Sequence, residues 1–143
     1  MRNGMSIMEV LVVVVVVALL LLITLLRLER PLASVTVESE VQRLARAHMR
    51  ARMIATTRSR IAVLHIRPDS LTIGLVERGD TVAWWSEPGP ATRNVTLTGP
   101  SHSVLVTPTA LGLGVSNGTW TVTYRGVTRS VVLSRLGRLR IVR

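Results

Sequence analysis

Residues 5–26, M-S-I-M-E-V-L-V-V-V-V-V-V-A-L-L-L-L-I-T-L-L, restrict this chain more than any other stretch of its sequence. From Val10 onward every residue in the segment is apolar except Thr24. As a helix it would be about 33 Å long, enough to cross a hydrocarbon layer of about 30 Å. A chain of 143 residues has room for only one small domain beside it, and that domain could not bury such a helix on all sides. The segment therefore reads as a membrane-crossing helix near the N-terminus. Glu9 does not fit this reading, because a carboxylate in hydrocarbon costs at least about 2.5–3.5 kcal/mol. A partner charge is expected to compensate for it.

Neither ordinary use of such a helix suits the flanking residues. A secretory signal has an apolar core of about 7–15 residues and a small-residue cleavage site after it. Here the core is longer, and the following L-R-L-E-R-P-L-A-S lacks an A-x-A site. An uncleaved anchor accounts for the length but for neither Gly4 nor Glu9. Arg2 precedes the helix while Arg27 and Arg30 follow it, partly offset by Glu29, so the Lys/Arg bias alone does not place the N-terminus inside. The leader does, since four residues form no domain worth translocating.

Charge and composition exclude more than they assign. The chain has no cysteine, hence no disulfide or thiol site. All 18 basic residues are arginine, against 8 acids, for a net charge of +10. No acid follows Glu87, yet Arg93, Arg125, Arg129, Arg135, Arg138, Arg140 and Arg143 do. That half is either a solvated basic surface or one that attracts polyanions over a Debye length of about 8–10 Å. His48, His65 and His102 lack metal-ligand spacing. Asp69, Glu77, Asp80 and Glu87 fall near expected strand ends without paired geometry. Gly112-Leu113-Gly114 lacks the helix start that a phosphate loop needs. No catalytic residue, metal site or cofactor is expected, and the chain is not read as an enzyme.

The leader and helix carry a resemblance. A short basic leader ending in Gly4, then Met5-Ser6-Ile7-Met8-Glu9 and a long apolar run, resembles the prepilin signature of type IV pilins and type II secretion pseudopilins. The family more often has Phe after the cut, where this chain has Met5. The resemblance implies cleavage by a prepilin peptidase between Gly4 and Met5, and N-methylation of Met5. It also implies that Glu9 pairs with the methylated amine of a neighbouring pilin or pseudopilin subunit, fixing register during assembly. The subunit would cross the inner (cytoplasmic) membrane once, with its C-terminal part periplasmic or otherwise extracytoplasmic, until extraction into a filament. The competing reading is a single-pass anchored domain unrelated to pili.

The rest of the chain is patterned as α+β. Residues 1–4 form the leader, 5–30 the transmembrane part of the helix, 31–60 an amphipathic helix entering the globular domain, and 61–143 a β-rich domain. Pro31 is expected to kink or break the helix near Arg30. Val37, Val41, Leu44, His48, Ala51 and Ala55 form one apolar stripe, with His48 as a core residue rather than a ligand. Arg43, Arg46 and Arg50 share another face. Strands are expected over residues 61–66, 71–76, 95–98, 104–107, 119–124 and 127–134, with another through T-V-A-W-W and a last one through R-L-R-I-V. Residues 87–92 read as a loop. Asn117-Gly118 reads as a two-residue hairpin turn, and Arg125-Gly126 and Leu136-Gly137 as further turns. Trp84 and Trp85 are adjacent on a strand, so one is expected to face outward, over a loop or a partner.

The helix L-A-R-A-H-M-R-A-R-M-I-A-T-T-R-S-R and the close S-V-V-L-S-R-L-G-R-L-R-I resemble the minor pseudopilin H and FimT group (GspH/FimT). That resemblance implies a long N-terminal helix packed on antiparallel sheets. It leaves two functions open. One is a structural subunit of a type II secretion pseudopilus or type IV pilus. The alternative is a FimT-like minor pilin that binds DNA for uptake through Gly137, Arg138 and Arg140, with Arg135 and Arg143 nearby. Strand alternation would put Arg138 and Arg140 outward and Leu139 and Ile141 inward. No aromatic is interleaved there for base stacking. The absence of acids after Glu87 argues against the C-terminal calcium loop of major pseudopilins, and Glu9 against the tip-most K-type subunit.

Overall fold

The computed structural model describes residues 6–114 and 116–142, without the side chains of residues 25–27. Gly4, Met5 and Arg143 lie outside the described residues. One helix, α1 (Ile7–Arg58, 52 residues), runs through the first two-fifths of the chain. Its first half has no protein to pack on. Val10 to Ile23 are exposed on every side of the helix, and the most apolar 18-residue window has a mean hydropathy of 3.2 with none of it buried. A helix apolar all round is stable only in a nonaqueous surrounding.

Burial begins at Ala33, which is 1% exposed. From there Val37, Val41, Leu44, His48, Ala51 and Ala55 are all buried, so the predicted stripe is the face that packs on the sheets. The expected break at Pro31 does not occur, because α1 continues through it. A proline removes one backbone bond from a helix. Leu28 to Leu32 around it are exposed, so no packed neighbour forces the chain out of the helix there. The helix ends at Ser59, whose left-handed backbone (φ 50°) turns the Ser59 and Arg60 N–H groups back onto the Thr56 and Ala55 carbonyls.

Among the described residues nine strands follow: β1 (Ala62–Ile66), β2 (Ser70–Glu77), β3 (Asp80–Pro88), β4 (Thr96–Thr98), β5 (Val104–Val106), β6 (Gly112–Leu113), β7 (Gly118–Tyr124), β8 (Val127–Leu133) and β9 (Leu139–Val142). They form two antiparallel sheets, ordered β3-β2-β1-β5-β6 and β4-β7-β8-β9. The stripe of α1, Leu64, Ile73 and Leu75 from the first sheet, and Trp120, Val122 and Val131 from the second share one core. Arg78-Gly79 and Arg125-Gly126 are the two-residue hairpin turns. In each pair both residues have positive φ (51° and 94°, then 45° and 77°), as a type I′ turn requires. Residues 87–92, expected as a loop, contain the end of β3 and a 3₁₀ turn, Pro90–Arg93.

Asn117-Gly118 is not a hairpin turn. The strand before it, β6, pairs in the first sheet, and β7 pairs in the second. Gly118 lies inside the β7–β8 ladder opposite Leu133. It is glycine for want of space: a Cβ there would come 2.7 Å from the Pro100 ring and 2.9 Å from the Trp120 indole.

Candidate functional site

Glu9 sits in the first turn of α1 with an exposed side chain, and its N–H bonds the Ser6 carbonyl at 2.9 Å. A carboxylate there is favoured by the positive end of the helix dipole. Among the described residues no cation lies within 4 Å of it. Met8, Leu11, Val12, Val15 and Val16 make an apolar surface beside it.

The C-terminal arginines lie at the other end of the molecule. β9 is the edge of the second sheet, with Arg140 opposite Val132 on β8. Arg138 and Arg140 are exposed, while Leu139 and Ile141 pack against the core, as strand alternation predicts. The two arginines share a hollow of about 500 Å³ with Val132, Ser134 and Leu139. Arg135 is exposed on the preceding turn and does not line the hollow. Gly137 has a structural reason of its own. Its φ is 72°, a Cβ would meet the Ala110 carbonyl at 3.1 Å, and its own carbonyl accepts from Arg52 at 3.4 Å. The turn is closed by Gly137 N–H on the Ser134 carbonyl (3.0 Å) and Arg138 N–H on the Ser134 hydroxyl (3.1 Å). Gly137 thus shapes the turn that presents Arg138.

A second arginine group lies where α1, β3 and the 3₁₀ turn meet. Arg43, 8% exposed, donates Nε and one Nη to Glu87 (3.1 and 2.8 Å), the other Nη to both Glu40 oxygens (3.2 and 2.9 Å), and a last bond to the Pro88 carbonyl (2.7 Å). A guanidinium has five N–H donors, and all five are used. Arg93 also donates to Glu40, which is 1% exposed. Beside this network Arg50 lies over the Trp85 ring at 4.7 Å, and Arg58 lies over Trp84 at 4.4 Å. As expected, one of the two faces outward: Trp84 is 48% exposed, while Trp85 packs against the core. Both nevertheless receive an arginine from α1. The cause is a bulge: Ile73 pairs with Trp85 and Gly74 with Ala83, leaving Trp84 as an extra residue.

His48 is 3% exposed, inside the helix–sheet interface. Burial, with Arg52 nearby as a lesser cause, lowers its pKa from 6.5 to about 4. It is therefore a neutral core histidine. Among the described residues no three His, Cys, Asp or Glu side chains cluster as metal ligands would.

About three-quarters of the chain superimposes on solved structures. The type IV minor pilin FimU of Pseudomonas aeruginosa strain PAO1 matches in two crystal forms, each with a TM-score of 0.59 and 17% identity. The matches cover 73% and 80% of this chain and 90% of FimU. The minor pseudopilin EpsH of the Type 2 Secretion System of Vibrio cholerae matches with a TM-score of 0.56 and 14% identity, over 77% of this chain and 95% of EpsH. The fold is that of the minor pilins and pseudopilins. No protein-family model matches the sequence, and no curated protein matches it significantly.

In this pilin-type fold the sequence-predicted residues fall into two separate places. Glu9 lies on the exposed apolar half of α1, and Arg138, on the turn before β9, lies beside Arg140 on β9. The Arg43 network is not legible as a site in the sequence, whereas the tryptophan pair is expected to cover a loop or a partner. The network's one local signal is the Glu40–Arg43 spacing of three residues, which puts the pair on one helix face. Glu87, Arg93 and Trp85 join only through packing across 35 to 53 residues of chain.

Proposed function

We propose that the chain is a minor pilin or minor pseudopilin, a structural subunit of a type IV pilus or a type II secretion pseudopilus. One observation carries this reading: a single helix whose first half stands clear of the protein, apolar on every side, continues unbroken into the core of a head with the minor-pilin fold. The first half then serves as membrane anchor and afterwards as filament core. Prepilin peptidase cuts between Gly4 and Met5, and Met5 becomes the methylated N-terminus. The mature subunit waits in the inner membrane with its head in the periplasm. On docking, Glu9 takes the methylated amine of a neighbour as its counter-ion, and a subunit out of register leaves both charges bare. The fold is common to both machines, so neighbouring genes assign the machine.

The test separates processing from assembly. In a complementation assay Gly4→Val should accumulate as the uncut precursor. Glu9→Ala should be cut normally yet be depleted at least about tenfold from the sheared filament fraction, as expected when one charge of a buried pair is removed. Normal incorporation of Glu9→Ala would remove this account of Glu9, and a processed Gly4→Val would mean that the leader was misread.

A second reading, DNA binding for uptake, is favoured by Arg138 and Arg140 sharing one exposed hollow with no acid within 4 Å among the described residues. Such a pair contacts phosphates, and its affinity falls steeply with salt. A gel shift across a salt series decides it. Binding at low salt that Arg138→Ala/Arg140→Ala abolishes supports DNA uptake. Binding that ignores the substitution leaves these arginines as solvated charge.

A further inference from the structure

The hollow at α1, β3 and the 3₁₀ turn has a volume of about 410 Å³, and Arg43, Arg46, Arg50, Trp85, Glu87 and Arg93 line it. Its four arginines are not equivalent. All five donors of Arg43 are spent on Glu40, Glu87 and the Pro88 carbonyl, and Arg93 is anchored on Glu40. Arg46 and Arg50 are both exposed, and among the described residues neither has an acid within 4 Å. They stand four residues apart on one helix, a like-charge spacing that destabilises a helix unless an anion comes between. Arg50 lies over Trp85, its guanidinium carbon 4.7 Å from the ring centre. A guanidinium held over an aromatic ring with its N–H donors unspent can still take a carboxylate in two bonds.

We propose that this hollow is a docking site for a carboxylate-bearing segment of a protein partner, held by Arg46 and Arg50 with Trp85 as its floor. Two features favour that ligand. The hollow suits one or two acidic side chains rather than a continuous nucleic-acid strand, with Glu87 in its wall already paired to Arg43 and the Arg46–Arg50 side left for an anion. Membrane headgroups are out of reach, since Arg46 lies 20 residues beyond the apolar run, about 30 Å along the helix. That the partner is a neighbouring subunit rests on the reading above, whereas the binding itself is measured without any assembly.

The test uses the full chain in nonionic detergent and a fluorescein-labelled deca-glutamate peptide, followed by anisotropy. Oligo-thymidylate of equal length is the comparator. Arg46→Ala/Arg50→Ala should weaken peptide binding at least about tenfold, as loss of two charge-assisted contacts predicts. Arg138→Ala/Arg140→Ala removes the same charge and should weaken it by less than about threefold, the scale of an exposed long-range charge effect. Equal losses in the two variants would overturn the site, because net charge alone would then explain binding. So would failure of the peptide to bind, or loss of oligo-thymidylate binding in Arg46→Ala/Arg50→Ala while peptide binding persists.

Discussion

Arg43 shows how much one side chain can be asked to do. It stands on α1 where that helix meets β3 and the 3₁₀ turn, and its fork satisfies two carboxylates and a backbone carbonyl at once. Lysine has the same charge but three donors from a single nitrogen, so it cannot span acceptors on both sides. Arg43→Lys should therefore destabilise the head by about 2 kcal/mol or more, because charged acceptors are left short of donors where water is excluded. Thermal unfolding followed by circular dichroism checks this, and an unchanged midpoint would mean that charge alone holds the cluster. The tryptophans teach the same lesson. Trp84 remains 48% exposed although Arg58 lies over its ring, because one guanidinium does not cover an indole.

At the scale of elements, hairpins and helix boundaries depend on what the neighbouring chain needs. Arg125-Gly126 and Asn117-Gly118 both look like turns in the sequence, yet only the first joins two strands of one ladder. Gly118 is instead held open for Pro100 and Trp120, and Gly99 is likewise close to the Trp120 ring, with a Cβ there 2.5 Å away. Packing and turn chemistry make opposite forecasts for one substitution. Asparagine tolerates the left-handed backbone of a turn, so Gly118→Asn would be harmless in a hairpin. In the observed ladder both Gly118→Ala and Gly118→Asn should cost about 1–3 kcal/mol through overpacking. Denaturant melts of the two variants distinguish the cases. The passage of α1 through Pro31 is the same kind of result: one lost backbone bond does not end a helix whose neighbours on both sides are helical.

For the whole molecule, charge along the chain and charge in space differ. The acid-free half after Glu87 is not one-signed once folded, because Arg93 is neutralised by Glu40 and Arg129 lies 3.1 Å from Glu38, both glutamates on α1. What remains is a β9 patch and the hollow beside α1. The helix–sheet interface that places these groups also contains His48, which gives the fold an acid limit. With a folded pKa of about 4 against 6.5 for the unfolded chain, the unfolded state binds more protons between those values. Stability is complete above about pH 6.5, falls as pH drops through the window, and levels off below about pH 4, a loss of up to roughly 3 kcal/mol. His48→Leu should flatten that window, so the gap between wild-type and variant midpoints should shift in the variant's favour from pH 7 to pH 4.5. A constant gap would show that His48 does not titrate against folding. Periodicity and composition by themselves determined the exposed apolar anchor, the buried stripe of α1, the α+β class, and the outward Arg138 and Arg140, because each follows from local spacing of apolar and charged residues. Only the tertiary structure decided that Asn117-Gly118 crosses between sheets, that Trp84 and Trp85 both meet α1, and that Arg43 and Arg93 converge on Glu40. Those depend on contacts between residues far apart in the chain, which local spacing does not encode.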